Sequence, residues 1–341
     1  MARFSGREVR LRKRPEGIPT ESDFEMVEVA TGEPGPGEVL VRNIWMSVDP
    51  YMRGRMNDRR SYISSFELGR PLEGGCVGRV VESRSDRFSA GDFVLGSLGW
   101  RDYFISHGRD LVPVDRSLAP LPAYLGVLGM PGFTAYVGLV KIGELHEGET
   151  VFVSAAAGAV GSVACQIARL KGCRVVGSTG SDEKVAWLKD DLGVDGAFNY
   201  HAVRDLGAEL RRRAPEGVDL AFDNVGTTHL DAALGAMNDF GRVVLCGAIS
   251  VYNATSPPPG PANLVLAIQK RLKLQGFIIS DHTATQGQFR AEMGAWVSSG
   301  AIKRRETALE GLEAAPAALI GLFHGENIGK MLVRLVPEDA A

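Results

Sequence analysis

The chain has 341 residues, and its 38 lysines and arginines against 41 aspartates and glutamates give a formal net charge of −3. This length predicts two domains at about 150 residues each, and the balanced charge argues against a nucleic-acid binder that relies on a basic surface. The cysteines are Cys76, Cys165, Cys173 and Cys246. No two form a CxxC pair, which excludes a structural zinc lobe built on clustered thiolates. Cysteines at this low density favour reduced thiols in the cytoplasm over a disulfide framework.

Two segments have a feature of targeting or membrane signals: the N-terminus is basic, and a later stretch is long and uncharged. The N-terminus, MARFSGREVRLRKRPEG, is basic and lacks the apolar core of a signal peptide, so we expect a charged start that leads into a strand. Residues 117–140 are uncharged and long enough by count to span a bilayer. Pro120, Pro122 and Pro131 interrupt that stretch together with several glycines. A buried globular connection is therefore the better interpretation.

The first third of the chain is rich in short β-like runs separated by turn signals. These runs lie at 24–30, 38–45, 78–83, 92–97 and 102–106. Several short strands at this spacing predict a small barrel or sandwich.

From residue 151 the pattern changes to apolar strands that alternate with helical segments. The predicted strands are 151–155, 174–178, 197–200, 219–225, 241–248 and 274–279. Such alternation predicts an α/β fold with a doubly wound parallel sheet of six strands. A further strand at 330–336 follows an Ala/Leu-rich stretch. We therefore expect the α/β domain to be inserted before the last strand of the β-rich domain.

A turn of small residues, SAAAGAVGS at 154–162, joins the first of these strands to a helix. Ala155, Gly158 and Gly161 form an AxxGxxG pattern, which lets the backbone approach a pyrophosphate at the positive end of a helix. The same small residues would also suit tight strand–helix packing with no ligand. The six βα units in the appropriate order favour a dinucleotide site.

The end of the second α/β strand bears on which dinucleotide binds. An NAD site usually has Asp or Glu there to hold the ribose 2′-hydroxyl. Here Ser178, Thr179 and Gly180 occupy the turn, and Lys184 follows. Lys184 could pair with a 2′-phosphate as a point charge or lie on a solvated helix face. With the acid missing, the pattern favours NADP.

Seven segments together carry a resemblance to a known family. They are SVDPYMRGRM (47–56), GMPGFTAYVGL (129–139), AAGAVGS (156–162), GSDEK (180–184), FDNVG (222–226), CGAISVYN (246–253) and ENIGK (326–330). Over essentially its whole length the chain resembles the medium-chain dehydrogenase/reductase superfamily. The motifs are similar to those of its zinc-independent leukotriene dehydrogenase/prostaglandin reductase group, which includes bacterial curcumin reductases and plant alkenal double-bond reductases.

The resemblance implies a domain division and a reaction. It implies a GroES-like catalytic domain at 1–126 and 304–341 and a Rossmann domain at 127–303. It also implies NADPH-dependent reduction of a carbon–carbon double bond conjugated to a carbonyl, and a homodimer.

The resemblance further assigns cofactor contacts. The pyrophosphate would lie on Gly158, Ala159, Val160 and Gly161, and the 2′-phosphoribose on Lys184 and Tyr200. The nicotinamide half would be lined by Met130, Thr134, Asn224, Cys246, Gly247, Ala248, Ile249, Ser250, Tyr252, Phe277, Ile278, Ile279 and Asn327. Taken singly, Tyr200 could instead be a packing residue, Asn224 a turn former and Asn327 a loop cap.

The chain departs from the zinc-dependent alcohol dehydrogenases of the superfamily, which use a Cys and a His–Glu pair in the first domain. Ser47 stands at the Cys position, and Leu72 precedes Glu73 where the His would be. Cys76 is more simply explained as a buried filler. We therefore expect no catalytic zinc. Oxidising an alcohol without a Lewis acid is difficult at neutral pH, whereas reducing an enone needs only a hydrogen-bond donor near the carbonyl oxygen.

Two tyrosines are the candidate catalytic residues. Tyr252 follows the fifth α/β strand, at the sheet edge where such folds bind ligands, and Tyr51 lies in the first domain. We expect Tyr252 to hydrogen-bond the carbonyl or relay the proton and Tyr51 to position the substrate. Both could instead be pocket walls or cofactor contacts, with the ribose 2′-hydroxyl as the donor.

The sequence thus predicts an NADPH-dependent reductase of α,β-unsaturated ketones or aldehydes. We expect it to act on an apolar small molecule, in the cytoplasm, as a homodimer, with no nucleic-acid or membrane partner. Quinone reduction and metal-free oxidation of an allylic or benzylic alcohol are alternatives on the same scaffold. A non-catalytic NADPH-binding sensor is the alternative from another class.

Overall fold

The computed structural model describes residues 4–340 of the chain. The chain divides into two compact units, the first made of Met1–Leu125 with Glu306–Ala341 and the second of Gly126–Arg305. Within residues 4–340, no helix is long and apolar enough to cross a membrane. The uncharged stretch at 117–140 is instead broken into a 3₁₀ turn at Leu121–Leu125 and a helix that begins at Met130.

The first unit is mainly β-structure. Its strands are β1 (Phe4–Leu11), β2 (Phe24–Thr31), β3 (Val39–Ser47), β4 (Cys76–Ser83), β5 (Phe93–Gly96), β6 (Tyr103–Ser106), β7 (Val112–Pro113), β14 (Glu306–Glu310) and β15 (Lys330–Arg334). Its helices are α1 (Met52–Arg55) and α9 (Ala315–His324). A seven-stranded sheet has the order β14-β15-β3-β4-β5-β7, with β6 paired to β3, and β1 pairs with β2. The predicted strands of the first third are all present.

The basic N-terminal segment contains a strand that is not among the predicted runs. Residues Phe4–Leu11 form β1, which pairs antiparallel with β2. Val9 and Leu11 are buried while Arg10 between them is only partly buried, which is the alternation of a half-buried strand. Strand β14 was not predicted either, because ETALE alternates weakly and its order comes from parallel pairing with β15.

The second unit alternates strands and helices. Its strands are β8 (Thr150–Val153), β9 (Arg174–Thr179), β10 (Gly196–Asn199), β11 (Val218–Asp223), β12 (Met237–Leu245) and β13 (Lys273–Gly276). Its helices are α2 (Met130–Val137), α3 (Gly161–Leu170), α4 (Asp182–Ala186), α5 (Leu206–Arg213), α6 (Thr227–Ala236), α7 (Leu266–Gln269) and α8 (Gln286–Ser298), with π-helical turns at Gly138–Ile142 and Trp187–Asp191.

The six strands of the second unit form one parallel sheet in the order β10-β9-β8-β11-β12-β13. The chain winds outward from β8 in one direction through β10 and then restarts at β11 on the other side of β8. This is the doubly wound Rossmann arrangement, and it confirms the predicted fold class. Ligands of such sheets bind at the carboxyl ends of the strands where the order reverses, which here lies between β8 and β11.

The strand predicted at 274–279 is shorter than expected. Its parallel pairing with β12 ends at Gly276, opposite Leu245. Phe277 and Ile278 leave the sheet, and Ile279 opens a 3₁₀ segment that runs to Thr285. The three residues assigned to the nicotinamide half therefore follow β13 rather than lie within it.

Candidate functional site

The turn between β8 and α3 carries the glycine pattern. Ala155 has a φ of 48°, a left-handed value that is uncommon for a residue with a side chain. The N–H of Gly158 returns to the carbonyl of Ala155 at 2.9 Å, and α3 begins at Gly161. Gly158, Ala159 and Val160 are partly exposed at the N-terminal end of this helix. Backbone donors of a first helical turn have no partner within the helix, so this end can accept an anion.

Gly161 has no room for a side chain. A Cβ atom built there would lie 2.3 Å from the carbonyl oxygen of Ala155 and 2.9 Å from the Cα of Ala156. Both neighbours are backbone, so a side chain would force the turn itself to move. The glycine therefore sets how closely α3 approaches the end of β8, as the sequence pattern predicts for a cradle that receives a pyrophosphate.

A buried carboxylate joins the ends of β8 and β11. Asp223 accepts a hydrogen bond from the Ser154 hydroxyl at 2.7 Å and from the backbone N–H groups of Val225 and Gly226 at 3.1 and 2.9 Å. Asn224 donates two hydrogen bonds to Ser154: its backbone N–H bonds the Ser154 hydroxyl, and its side-chain amide bonds the Ser154 carbonyl. Burial raises the pKa of Asp223, while these hydrogen bonds act to lower it. The loop after β8 and the loop after β11, where the strand order reverses, are thus joined by hydrogen bonds into one unit.

The segment after β12 is fastened to the same loop. The N–H groups of Cys246 and Gly247 donate to the carbonyl of Asp223, and those of Ile249 and Ser250 donate to Asn224 and Val225. This brings Asn224 and the predicted run from Cys246 through Ala248 to Tyr252 together at one sheet edge. Burial raises the pKa of the Cys246 thiol to about 12, so it stays protonated at neutral pH.

The start of α6 adds a strained contact at this edge. Thr227 has a φ of 42°, which is a rare conformation for a β-branched residue. Its hydroxyl lies 3.0 Å from that of Ser250, and the Ser250 hydroxyl donates to the carbonyl of Val225 at 2.6 Å. Strain of this kind persists where the surroundings over-determine the backbone, which occurs often at ligand sites.

Tyr252 has its hydroxyl against the same loops. The hydroxyl oxygen accepts the N–H of Ala248 at 3.2 Å, which leaves its own proton to be donated. A Cβ at Gly247 would come within 3.3 Å of this oxygen and 3.2 Å of the Asn224 carbonyl, so glycine keeps the approach open. Burial raises the pKa of Tyr252. The phenol is therefore a protonated donor at neutral pH.

The residues expected at the 2′-phosphoribose, Lys184 and Tyr200, lie in α4 and directly after β10. Tyr200 follows β10, and its N–H donates to the carbonyl of Thr179 at the end of β9. Its hydroxyl lies beside Gly180, where a built Cβ would be 3.3 Å away. Ser181 caps α4 by accepting the N–H of Lys184. Burial lowers the pKa of the half-buried Lys184 and raises that of Tyr200.

Other predicted nicotinamide residues lie on α2 and after β13. Met130 begins α2 and is exposed, and its carbonyl accepts a hydrogen bond from the Thr134 hydroxyl. Gly138 follows α2, and a Cβ there would lie 2.5 Å from the ring of Phe222 and 3.2 Å from that of Phe277. Close packing at this glycine holds α2 beside the residues that follow β13, and Ile278 and Ile279 are half-buried.

In the first unit, Tyr51 directly precedes α1. Burial raises the pKa of Tyr51, and the charge of Asp49 adds to the effect. Asp49 is itself buried, accepts the Ser47 hydroxyl and faces the ammonium of Lys330 at 3.2 Å. Lys330 also donates to the carbonyls of Val48 and Met331, which ties β15 to the loop after β3. The position of Tyr51 is well fixed, because Tyr51 follows a proline and because Asp49 and Lys330 anchor its loop.

Asn327 lies between α9 and β15. Its amide donates to the carbonyl of Gly329 at 2.8 Å. This contact matches the alternative of a loop cap, and it leaves the amide oxygen for a further donor.

Of the positions compared with zinc ligands, only Glu73 carries a metal-binding group, and that carboxylate accepts a hydrogen bond from Arg55 at 2.8 Å. The hydroxyl of Ser47 is engaged by Asp49, Leu72 is fully buried, and Cys76 is buried in β4. Burial raises the pKa of the Cys76 thiol to about 12. Between Phe4 and Ala340, no group of three or more His, Cys, Asp or Glu side chains is arranged to hold a metal ion.

Comparison with known proteins shows which superfamily the chain belongs to. Residues 7–114 match the family described as the N-terminal domain of oxidoreductase, and residues 159–299 match the family described as zinc-binding dehydrogenase. The NADPH-dependent curcumin reductase of Escherichia coli is 45% identical over 96% of this chain and 96% of its own length. The chain belongs to the medium-chain dehydrogenase/reductase superfamily.

Two further relatives sit in the same branch of this superfamily. The NADP(+)-dependent 2-alkenal reductase of Nicotiana tabacum is 42% identical over 98% of both proteins. The crystal structure of CurA in complex with NADPH from Vibrio vulnificus superposes with a TM-score of 0.92 at 42% identity, covering 97% of this chain and 99% of that one. The resemblance inferred from the sequence motifs is confirmed.

Three residues of this superfamily member were not anticipated from its sequence. Sequence patterns do not reveal the roles of Ser154 and Asp223, since their hydrogen bond joins positions far apart in the chain. His229, in α6, packs against Tyr200 and was not singled out. Burial lowers the pKa of His229 to about 4, and the neighbouring His201 contributes to this.

A glycine substitution tests the cradle. We expect Gly161→Ala to destabilise the protein by about 1–3 kcal/mol, because its Cβ would overlap backbone, and to weaken binding of the expected dinucleotide. Gly294→Ala in α8 is the matched control, since no atom lies within 4 Å of its Cβ. That control should gain about 0.5–1 kcal/mol. Thermal unfolding of both variants checks this, and equal stabilities would contradict it.

Proposed function

We propose that the protein is an NADPH-dependent reductase of the carbon–carbon double bond of α,β-unsaturated ketones and aldehydes. The observation that carries this concerns the hydroxyl of Tyr252, which accepts a backbone N–H and keeps its own proton for donation. This hydroxyl lies at the carboxyl ends of the strands of the Rossmann sheet, where the strand order reverses. A donor of this kind is what a carbonyl oxygen needs when it gains charge. The similarity to the curcumin and 2-alkenal reductases supports the same activity.

The residues of the second unit fit NADPH. The cradle at Gly158–Gly161 would hold the pyrophosphate, and Lys184 and Tyr200 would hold the 2′-phosphate. Asn224, Cys246–Ser250, Tyr252 and Phe277–Ile279 would enclose the nicotinamide half, with Met130 and Thr134 on α2 beside the ring. We propose that the first unit contributes Tyr51 and Asn327 and binds the substrate. When bound, the nicotinamide supplies a hydride.

The chain's own groups would manage charge and protons on the substrate. Hydride addition at the β-carbon moves the π electrons toward the carbonyl oxygen and generates an enolate. Tyr252 donates a hydrogen bond to that oxygen, and its raised pKa keeps the donor protonated. A preorganised donor in a site that excludes water is worth roughly 10²–10³ in rate. Protonation of the α-carbon then completes the saturated carbonyl product.

We further propose that this reaction needs no zinc. The support is the residue types at the ligand positions, where Ser47 is bonded to Asp49 and Leu72 cannot coordinate a metal. Enone reduction suits such a site because the enolate charge is spread over carbon and oxygen. A hydrogen-bond donor can stabilise it without a Lewis acid.

A homodimer in the cytoplasm completes the proposal. The side chains of Phe240, Leu264, Val265 and Ile268 are exposed on the second unit. Phe240 lies in β12, and the other three residues precede β13, the end strand of the sheet, in the chain. Several exposed apolar residues on one domain are typical of a protein interface. Free thiols at all four cysteines fit a reducing compartment.

The activity is tested by supplying acceptors to the purified protein. We expect NADPH oxidation with a conjugated enone, with a saturated ketone as the product, and much slower oxidation with NADH. The same assay with a quinone and with no acceptor is the control. Turnover of the quinone alone would favour quinone reduction, and NADPH binding without any turnover would favour a sensor.

Tyr252→Phe tests the donor. We expect kcat for enone reduction to fall by roughly 10²–10³, the cost of losing one such donor. Tyr124→Phe is the matched control, since it also removes a hydroxyl, one that donates to the carbonyl of Asp115 in the first unit. An unchanged kcat in Tyr252→Phe would remove this tyrosine from catalysis.

A charge in the apolar patch tests the dimer. Ile268 is 79% exposed, so Ile268→Lys costs the monomer little. We expect light scattering to show twice the chain mass for the wild type and a shift toward one chain mass for this variant. A wild-type monomer at micromolar concentration would contradict the proposed dimer.

A further inference from the structure

Within residues 4–340, the buried side chain of His229 has no hydrogen-bond partner. It lies in the first turn of α6 and is 3% exposed. Neither ring nitrogen has a hydrogen-bond partner among the residues that the structure describes. Unpaired buried polar groups are rare in native proteins because they lose their bonds to water on folding, so each one requires an explanation.

The ring contacts of His229 locate it behind Tyr200. The two rings meet edge to face, with centroids 4.8 Å apart and planes at 86°. His201 contacts the same tyrosine, with centroids 4.2 Å apart. Tyr200 is therefore held by two imidazoles, while its hydroxyl reaches the turn at Gly180. That turn leads into α4, which carries Lys184.

An apolar ring at position 229 would make the same packing contact without burying unpaired nitrogens. The imidazole therefore offers something that phenylalanine would not, namely an N–H dipole. Such a dipole is useful where a strong negative charge arrives nearby, because a low-dielectric surrounding makes the interaction stronger than in water. The proposed function places a doubly negative 2′-phosphate next to Tyr200 and Lys184.

We propose that His229 is a positioning residue that selects the 2′-phosphate of NADPH, holding the Tyr200 ring in place and adding an N–H dipole behind it. This inference rests on the proposed function, since it concerns the same cofactor. It adds a determinant that does not lie in the turn after β9, where discrimination between NADP and NAD is usually sought. His229 acts through Tyr200, because its ring nitrogens are buried.

Binding of two cofactors to His229→Phe tests the proposal. Phenylalanine keeps a ring against Tyr200 and removes both nitrogens. We expect the Kd for NADPH, measured by fluorescence titration, to rise about fivefold to tenfold, and the Kd for NADH to change less than twofold. We expect 2′,5′-ADP, which carries the phosphate without the nicotinamide, to weaken by the same factor as NADPH. His229→Gln, which restores an N–H, should recover most of the affinity.

Controls separate this role from a structural one. Leu234→Ala empties a buried site elsewhere in α6, so it should lower stability without changing the ratio of the two Kd values. Should His229→Phe fail to fold, His229→Leu takes its place with the same expected loss of selectivity. Equal changes for NADPH and NADH, or no change for either, would overturn the role of His229. A wild type that binds neither cofactor would instead overturn the proposed function.

Discussion

The hydrogen bonds around the buried carboxylate of Asp223 are the constraint on which the rest of the site depends. They join the ends of β8 and β11, the two parallel strands at which the chain changes the direction in which it adds strands to the sheet. A doubly wound sheet opens a crevice at this point because the connections on its two sides lead away from each other. Fastening the two loops to each other fixes the width of that crevice. The cradle before α3 and the loop after β11 are then held as one preformed surface.

The loop after β12 extends this surface, because its backbone donates to the carbonyls of Asp223, Asn224 and Val225. The hydroxyl of Tyr252 is held against this surface by the N–H of Ala248, from which it accepts a hydrogen bond. A donor held by backbone contacts does not need to reorganise when charge develops on a bound carbonyl, which is the condition under which one hydrogen bond accelerates a reaction most. Rigidity at the ends of the strands and chemistry at Tyr252 therefore have one physical source.

The sequence predicts those features that repeat along the chain or occupy neighbouring positions. The six strands of the parallel sheet were predictable because apolar runs alternate with helical segments, and the cradle because small residues cluster at one turn. Asp223 and Ser154 were not predictable as partners, since they are 69 positions apart and a single polar residue at a strand end has many uses. His229 carries no local signal, because its meaning comes from its contact with Tyr200. Strand β14 escaped detection because its order depends on pairing with β15.

The most direct test of this account follows the hydride. NADPH deuterated at C4 of the nicotinamide, in each stereochemical form, is incubated with the protein and a conjugated enone, and the product is examined by mass spectrometry and NMR. The account predicts a saturated ketone that carries one deuterium on the former β-carbon from one of the two labelled forms. Deuterium on the carbonyl carbon of an allylic alcohol would contradict it, because the protein would then reduce the carbonyl rather than the double bond.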